Sequence, residues 1–261
     1  STNDATINGI LVGKGSGNAT GNTVVGLNAL SSNDPAGNYN TVFGQSALEL
    51  NTTASNNTAI GYATLSANTT GADNVALGRN ALLSNTTGTS NVALGMEALL
   101  VNTSGAINVA VGKNALRANT TGDNNTAVGT SALYANITGT LNVAIGSNSL
   151  ASNTTGSNNV AVGKAALAAN TSGIENVAVG KSALEANTSG LANVAVGVES
   201  LLTNTTGSAN TFIGNESGKL VTTGSSNQAM GAGSLENLTT GSNNVGIGVS
   251  AGAYTTLLTT G

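Results

Sequence analysis

The residues whose types and spacing most suggest chemistry are asparagines with a hydroxyl two places on. Asn51, Asn68, Asn85, Asn102, Asn119, Asn136, Asn153, Asn170, Asn187 and Asn204 each open an Asn-x-Thr or Asn-x-Ser triplet, seventeen residues from the next. The triplet is the acceptor pattern for N-linked glycans on a surface turn. The same column also reads as a ladder in which each Asn bonds to the turns on either side, and that reading is favoured. Other reactive types are missing. With no His and no Cys, Ser–His and Cys–His nucleophiles, the common zinc sites and disulfides are excluded.

The eleven acidic residues are scattered over loop positions; Asp73 and Glu175 close their units, and Glu97 and Glu199 sit just after a Gly. Glycoside hydrolysis needs two carboxyl groups held across a cleft, and nothing pairs them here. The regular Gly-rich acidic signature of calcium-binding β-rolls is also missing. Lys113, Lys164, Lys181 and Arg79 form a patchy basic column that suits solubility. No cofactor and no enzymatic activity are expected. Seven basic residues against eleven acidic ones, a net charge of −4, argue against a nucleic-acid groove, which needs clustered Lys and Arg. No apolar run approaches the roughly 20 residues of a membrane-spanning helix.

The frame that positions these residues is a short repeat. Its opening Asn recurs at Asn22, Asn40 and Asn57, and then every seventeen residues to Asn244. A fixed short period held this long means a solenoid. The expected fold is all-β, a parallel β-solenoid of about fourteen 17-residue coils. Residues 1–21 read as an irregular cap or junction with a strand over 6–13, 22–209 as the regular array, and 210–261 as degenerate coils with a docking end.

Counting from the Asn, position four is always large and apolar, as in Val25, Phe43, Ile60, Leu77 and Met230, and position two is Val or Thr apart from Gln228. These two share a face because strand side chains alternate. With the Leu at position nine (Leu30 through Leu201) they are expected to form the core. Position five is Gly in every coil and ends the strand. Position fifteen is Gly in most coils, within Asn-Thr-Thr-Gly turns. The stretch between the glycines is either a second short strand or a single helical turn; strand is favoured, since six residues are few for a helix.

Position three is Ala at Ala59, Ala76, Ala93, Ala110, Ala127, Ala144, Ala161, Ala178, Ala195 and Ala229. It faces away from positions two and four yet is never polar, and a strand apolar on both faces is expected to be covered on both. Ala59 through Ala195 are therefore expected to pack against another chain. Energetics lean the same way. About three apolar side chains per coil, at roughly 1.5–3 kcal/mol each, stand against an ordering cost of roughly 1–2 kcal/mol per residue.

The strands Asn108-Val-Ala-Val-Gly112, Asn57-Thr-Ala-Ile-Gly61 and Asn74-Val-Ala-Leu-Gly78 resemble the head repeats of trimeric autotransporter adhesins, and are similar to repeats of phage tail fibres and other bacterial surface proteins. The resemblance covers 22–252. It implies a left-handed parallel β-roll, three chains side by side, on a fibre outside the cell. Those heads mostly repeat at about fourteen residues, whereas the unit here is seventeen. The expected function is an extracellular or cell-surface structural and adhesive element, a homotrimer displaying Asn/Thr turns to a surface glycan or host matrix. The alternative is a filament subunit joined head to tail; a minor alternative is an ice-binding solenoid.

Overall fold

In a computed structural model of the chain, residues 5–8, 10–16 and 19–252 are described. They form an all-β solenoid of seventeen-residue coils, with no helix among them. The expected docking end over 253–261 lies outside the described residues. Two compact units divide the chain, Ser1–Asn125 and Thr126–Gly261.

The first unit holds β1 (Ala5–Ile7), β2 (Ile10–Gly13), β3 (Thr23–Val25), β4 (Thr41–Phe43), β5 (Thr58–Ile60), β6 (Val75–Leu77), β7 (Val92–Leu94) and β8 (Val109–Val111). The single strand expected over 6–13 is instead a hairpin. Asn8 takes a positive φ of 52°, and β1 pairs antiparallel with β2. β2 then lies antiparallel on β3, covering its edge. From β3 onward each strand pairs in parallel with the next, equivalent residues in register, as Ala76 with Ala93 and Ala93 with Ala110.

The second unit holds β9 (Thr126–Val128), β10 (Val143–Ile145), β11 (Val160–Val162), β12 (Val177–Val179), β13 (Val194–Val196), β14 (Thr211–Ile213), β15 (Gln228–Met230) and β16 (Val245–Ile247). All its pairings are parallel and in register, for example Ala161 with Ala178 and Ala178 with Ala195.

Only three residues of each coil are strand. The stretch between the two glycines is neither second strand nor helix but a run of turns. Positions seven and nine take positive φ there, as at Ser182 (57°) and Leu184 (52°). Backbone bonds to the next coil hold this run, such as Leu167 N–H to the Ala183 carbonyl at 3.0 Å and Ala169 N–H to Glu185 at 2.9 Å. A bulky residue in the left-handed region is uncommon. Here the recurring Leu is fixed by burial, since Leu30 through Leu201 are all fully buried.

Position five shows why a side chain cannot end the strand. Gly78 has φ 129°, and a Cβ on it would lie 2.7 Å from the Gly95 carbonyl oxygen in the next coil. The glycine column lets successive backbones stack at this corner.

The core reverses the expected orientation of the strand. Ala59, Ala76, Ala93, Ala110, Ala127, Ala144, Ala161, Ala178 and Ala195 are fully buried within their own coils, so they are not an intersubunit packing column. Positions two and four face outward, with burial patterns of exposed or intermediate, buried, exposed or intermediate along each strand. The physical reason is room. A three-residue strand presents one side chain to one side and two to the other. Leu at position nine and a small residue at position eight (Ala81, Ala98, Ala166, Ala183) already fill the interior. Opposite the Leu there is room for Ala, or at most for Val as at Val24 and Val42.

One coil states this rule in the sequence. Phe212 replaces the Ala at position three, and Gly218 replaces the Leu at position nine. A Cβ on Gly218 would collide with the Phe212 ring. The two positions share one volume, and close-packed interiors respond to its total.

Candidate interaction surface

Two buried asparagine ladders define the turn side of each coil. The position-twelve residues, Asn51, Asn68, Asn85, Asn102, Asn119, Asn136, Asn153, Asn170, Asn187 and Asn204, all have no exposed surface. Asn170 is representative. Its Nδ2 donates to Asn153 Oδ1 in the preceding coil at 2.8 Å and to the Gly173 carbonyl three residues on at 3.0 Å. Asn187 Nδ2 donates in turn to Asn170 Oδ1 at 3.0 Å. The amide nitrogen that a glycan would need is enclosed and has both hydrogens committed. These residues form the ladder, and a glycan on them is incompatible with the folded coil.

The opening asparagines build the second ladder. Asn176 N–H and Nδ2 both donate to Asn159 Oδ1, at 3.0 and 3.1 Å, and Nδ2 also reaches the Gly190 carbonyl at 2.9 Å. The same Gly190 carbonyl accepts from Asn187 Nδ2 at 3.1 Å. Where both ladders run, as far as Asn204, the position-fifteen carbonyl thus joins them. A side chain there would intrude on both: a Cβ at Gly105 would sit 2.5 Å from Asn102 Oδ1 and 2.8 Å from Asn119 Nδ2. Buried polar groups this thoroughly paired stabilise; unpaired ones cost. The position-twelve ladder stops at Asn204, because Val221 follows it with no donor. Asn204 Oδ1 is left buried without a partner.

Outside the ladders lie two uncharged surfaces. The first is the outward strand face. In the first unit it includes Phe43, Val75 and Leu77, and in the second Ile145, Val179, Met230, Val245 and Ile247, all exposed. A shallow apolar depression on this face of the second unit is lined by Thr211, Ile213, Gln228, Met230, Val245 and Ile247. Lateral apolar columns of this kind are more than scattered surface hydrophobes, because register stacks them coil upon coil.

The second surface is the turn edge at positions thirteen and fourteen. At thirteen the hydroxyl is used inside the molecule: Thr69 Oγ1 donates to the Thr86 carbonyl at 3.0 Å, Thr171 to Thr188 at 3.0 Å and Thr205 to Thr222 at 3.1 Å. At fourteen stand Thr53, Thr70, Thr87, Ser104, Thr121, Thr138, Thr155, Ser172, Ser189, Thr206, Thr223 and Thr240, every one exposed. These are the hydroxyls that close the Asn-x-Thr/Ser triplets, and they outlast the triplet itself at Thr223 and Thr240. A hydroxyl stands there in the twelve coils opened by Asn40 through Asn227, even beside Ile137, Val221 and Leu238, whereas the coil opened by Asn22 has Asp34-Pro35-Ala36 at this turn.

Six of the eighteen charged residues form two small clusters. Glu97 meets Arg117 at 3.0 Å and Arg79 at 3.6 Å. Lys219 meets Glu199 at 2.9 Å and Glu216 at 3.2 Å. In both, a cation at position ten reaches the position-seven carboxylate of the preceding coil. The hydrogen bond from Lys219 holds Glu199 below the usual carboxylate range, and those contacts with Glu199 and then Glu216 hold Lys219 above the usual amine value. Among the described residues no three acidic side chains gather as a metal site, and no helix is long and apolar enough to cross a membrane.

No protein-family model, no curated protein and no solved structure matches the chain.

Proposed function

We propose that the chain is a structural, adhesive element of an extracellular or cell-surface fibre that associates with copies of itself through the outward strand face. The observation that carries this reading is the apolar residue at position four, joined by Val at most second positions, half-buried to exposed on the outer face in strand after strand. The small residues first expected at the interface are the filling of the coil, and the larger ones take that role instead. Parallel in-register strands give each copy a regular ridged surface, and a closed symmetric set of copies removes it from water. Three copies side by side is the arrangement that the resemblance to adhesin head repeats implies, with the turn edges left outermost to meet a surface glycan or host matrix.

A second reading is a filament growing head to tail. Contacts that do not close give open filaments. Light scattering across a concentration series separates the two. A constant mass of three chains supports the closed trimer, and a mass that keeps growing with concentration supports the filament. A monomer at every concentration sinks both.

A further inference from the structure

Position fourteen of the coils opened by Asn40 through Asn227 is an exposed column that is always Ser or Thr, and among the described residues its hydroxyls have no bonding role. The comparison is internal to the chain. The hydroxyls at position thirteen bond to the next coil, which accounts for Thr there. At position fourteen the backbone N–H is engaged, as Thr70 N–H with the Thr86 carbonyl at 3.2 Å and Thr155 N–H with Thr171 at 3.2 Å. The hydroxyls of these residues have no partner within the described part of the chain. An exposed turn position ordinarily accepts Asn, Asp, Gly or Lys as readily as Ser or Thr. None of those occurs in the twelve coils from Asn40 to Asn227, and the one earlier coil, opened by Asn22, has Pro35.

The pattern of replacement narrows the chemistry. Ser104, Ser172 and Ser189 stand where the other coils have Thr, so the methyl group is dispensable and the hydroxyl is not. A site that only hydrogen-bonded a ligand would be served equally by an amide or a carboxylate. What Ser and Thr alone share is an alkyl hydroxyl, an oxygen nucleophile. The column also persists where the Asn triplet is lost, at Thr223 and Thr240.

We infer that position fourteen is a row of acceptors for O-linked glycosylation by a transferase using an activated sugar phosphate. The Oγ forms a bond to the anomeric carbon while the bond from that carbon to the donor phosphate breaks. The phosphate-bearing group leaves with the electron pair, and the hydroxyl proton passes to solvent; no oxidant or reductant is involved. A neutral sugar suits the column better than phosphate. Phosphate adds about −1.5 to −2 charges per site, and successive sites one coil apart, on the order of 4.8 Å, would repel one another. The inference concerns the turn edge and does not depend on self-association through the strand face.

Intact-mass measurement with fragment mapping on the chain from its natural source tests it. The expected result is the polypeptide mass plus a series of sugar increments, mapped to Thr70, Thr87, Ser104 and their equivalents. A bare polypeptide mass, phosphate increments, or sugars confined to other positions would overturn it. Thr70→Val, Thr87→Val and Thr121→Val in one chain from the same cells are expected to remove the sugars from those three coils. Thr→Ser at the same places is expected to keep them. Sugars that survive the Val changes would also overturn it. Unchanged circular dichroism confirms that the coil is intact.

Discussion

At the strand corner of one coil the inward residue is Ala161 and the outward ones are Val160 and Val162; at the turn corner the inward residue is Asn170 and the outward ones are Thr171 and Ser172. Both corners enclose a small residue that recurs with little change, but different forces fix it. Ala161 is held by volume, opposite Leu167, and volume can be redistributed. Phe212 with Gly218 shows such a redistribution within one coil. Asn170 is held by direction, donating to one coil and accepting from the next. No change elsewhere in its own coil can replace it. The ladder therefore ends where it is first interrupted, at Val221, with Asn204 Oδ1 unpaired. Packing is local to a coil, and hydrogen bonding couples coils.

The largest expected effect breaks the directional corner. Asn170→Ala removes the donor to Asn153 Oδ1 and the acceptor of Asn187 Nδ2. Leaving two buried groups unpaired at about 1–3 kcal/mol each gives a loss of about 2–6 kcal/mol. Urea unfolding measures it, and hydrogen exchange should show the weakening in both flanking coils. A loss confined to one coil would contradict the coupling.

Next comes the volume corner. Ala161→Phe overfills the coil and is expected to cost about 1–3 kcal/mol. Adding Leu167→Gly to that variant should restore part of the loss, whereas Leu167→Gly in the native background should destabilise. A double-mutant cycle reads the coupling, expected at about 0.5–3 kcal/mol for residues in contact. Simple additivity would show that the two positions do not share space. Outward changes should behave differently. Val177→Lys with Val179→Lys is expected to move stability of the isolated chain by no more than about 0.5 kcal/mol each. The same change should lower the particle mass seen by light scattering.

The solenoid, its period and the glycine corners were legible in the sequence because each follows from spacing alone. Inward Leu at position nine was legible too, from its constancy. The facing of the strand was not. Alternation separates two faces without saying which is inside, and size pointed the wrong way: Ile145 and Met230 are exposed while Ala144 and Ala229 are buried. The deciding signs were finer. Position four varies freely in size, position two admits Thr and Gln, and Phe212 appears only with Gly218. The Asn ladder was readable as a column, but its burial depended on the coil being narrow, which no single residue announces. The run of turns between the glycines was out of reach for another reason, since Leu167 and its equivalents take a positive φ (52°) that their residue type disfavours.

The smallest expected effect concerns the ion pairs between coils, which test whether side-chain charge adds to the coupling made by the ladders. Glu199 has its pKa lowered chiefly by the hydrogen bond from Lys219, so its contribution is present above the ordinary carboxylate value and lost as pH falls through the lowered one. Lys219 has its pKa raised, so its contribution is present below the ordinary amine value of 10.5 and lost as pH rises through the raised one. Both groups are in contact with solvent, which screens them. Lys219→Met should therefore lower the melting temperature slightly near neutral pH, with the difference from the native chain shrinking toward strong acid and strong alkali. Added salt should shrink it as well. A difference that stays constant from acid to alkali would assign the effect to packing of the Lys219 stem, and coupling between coils would then rest on the backbone and the asparagines.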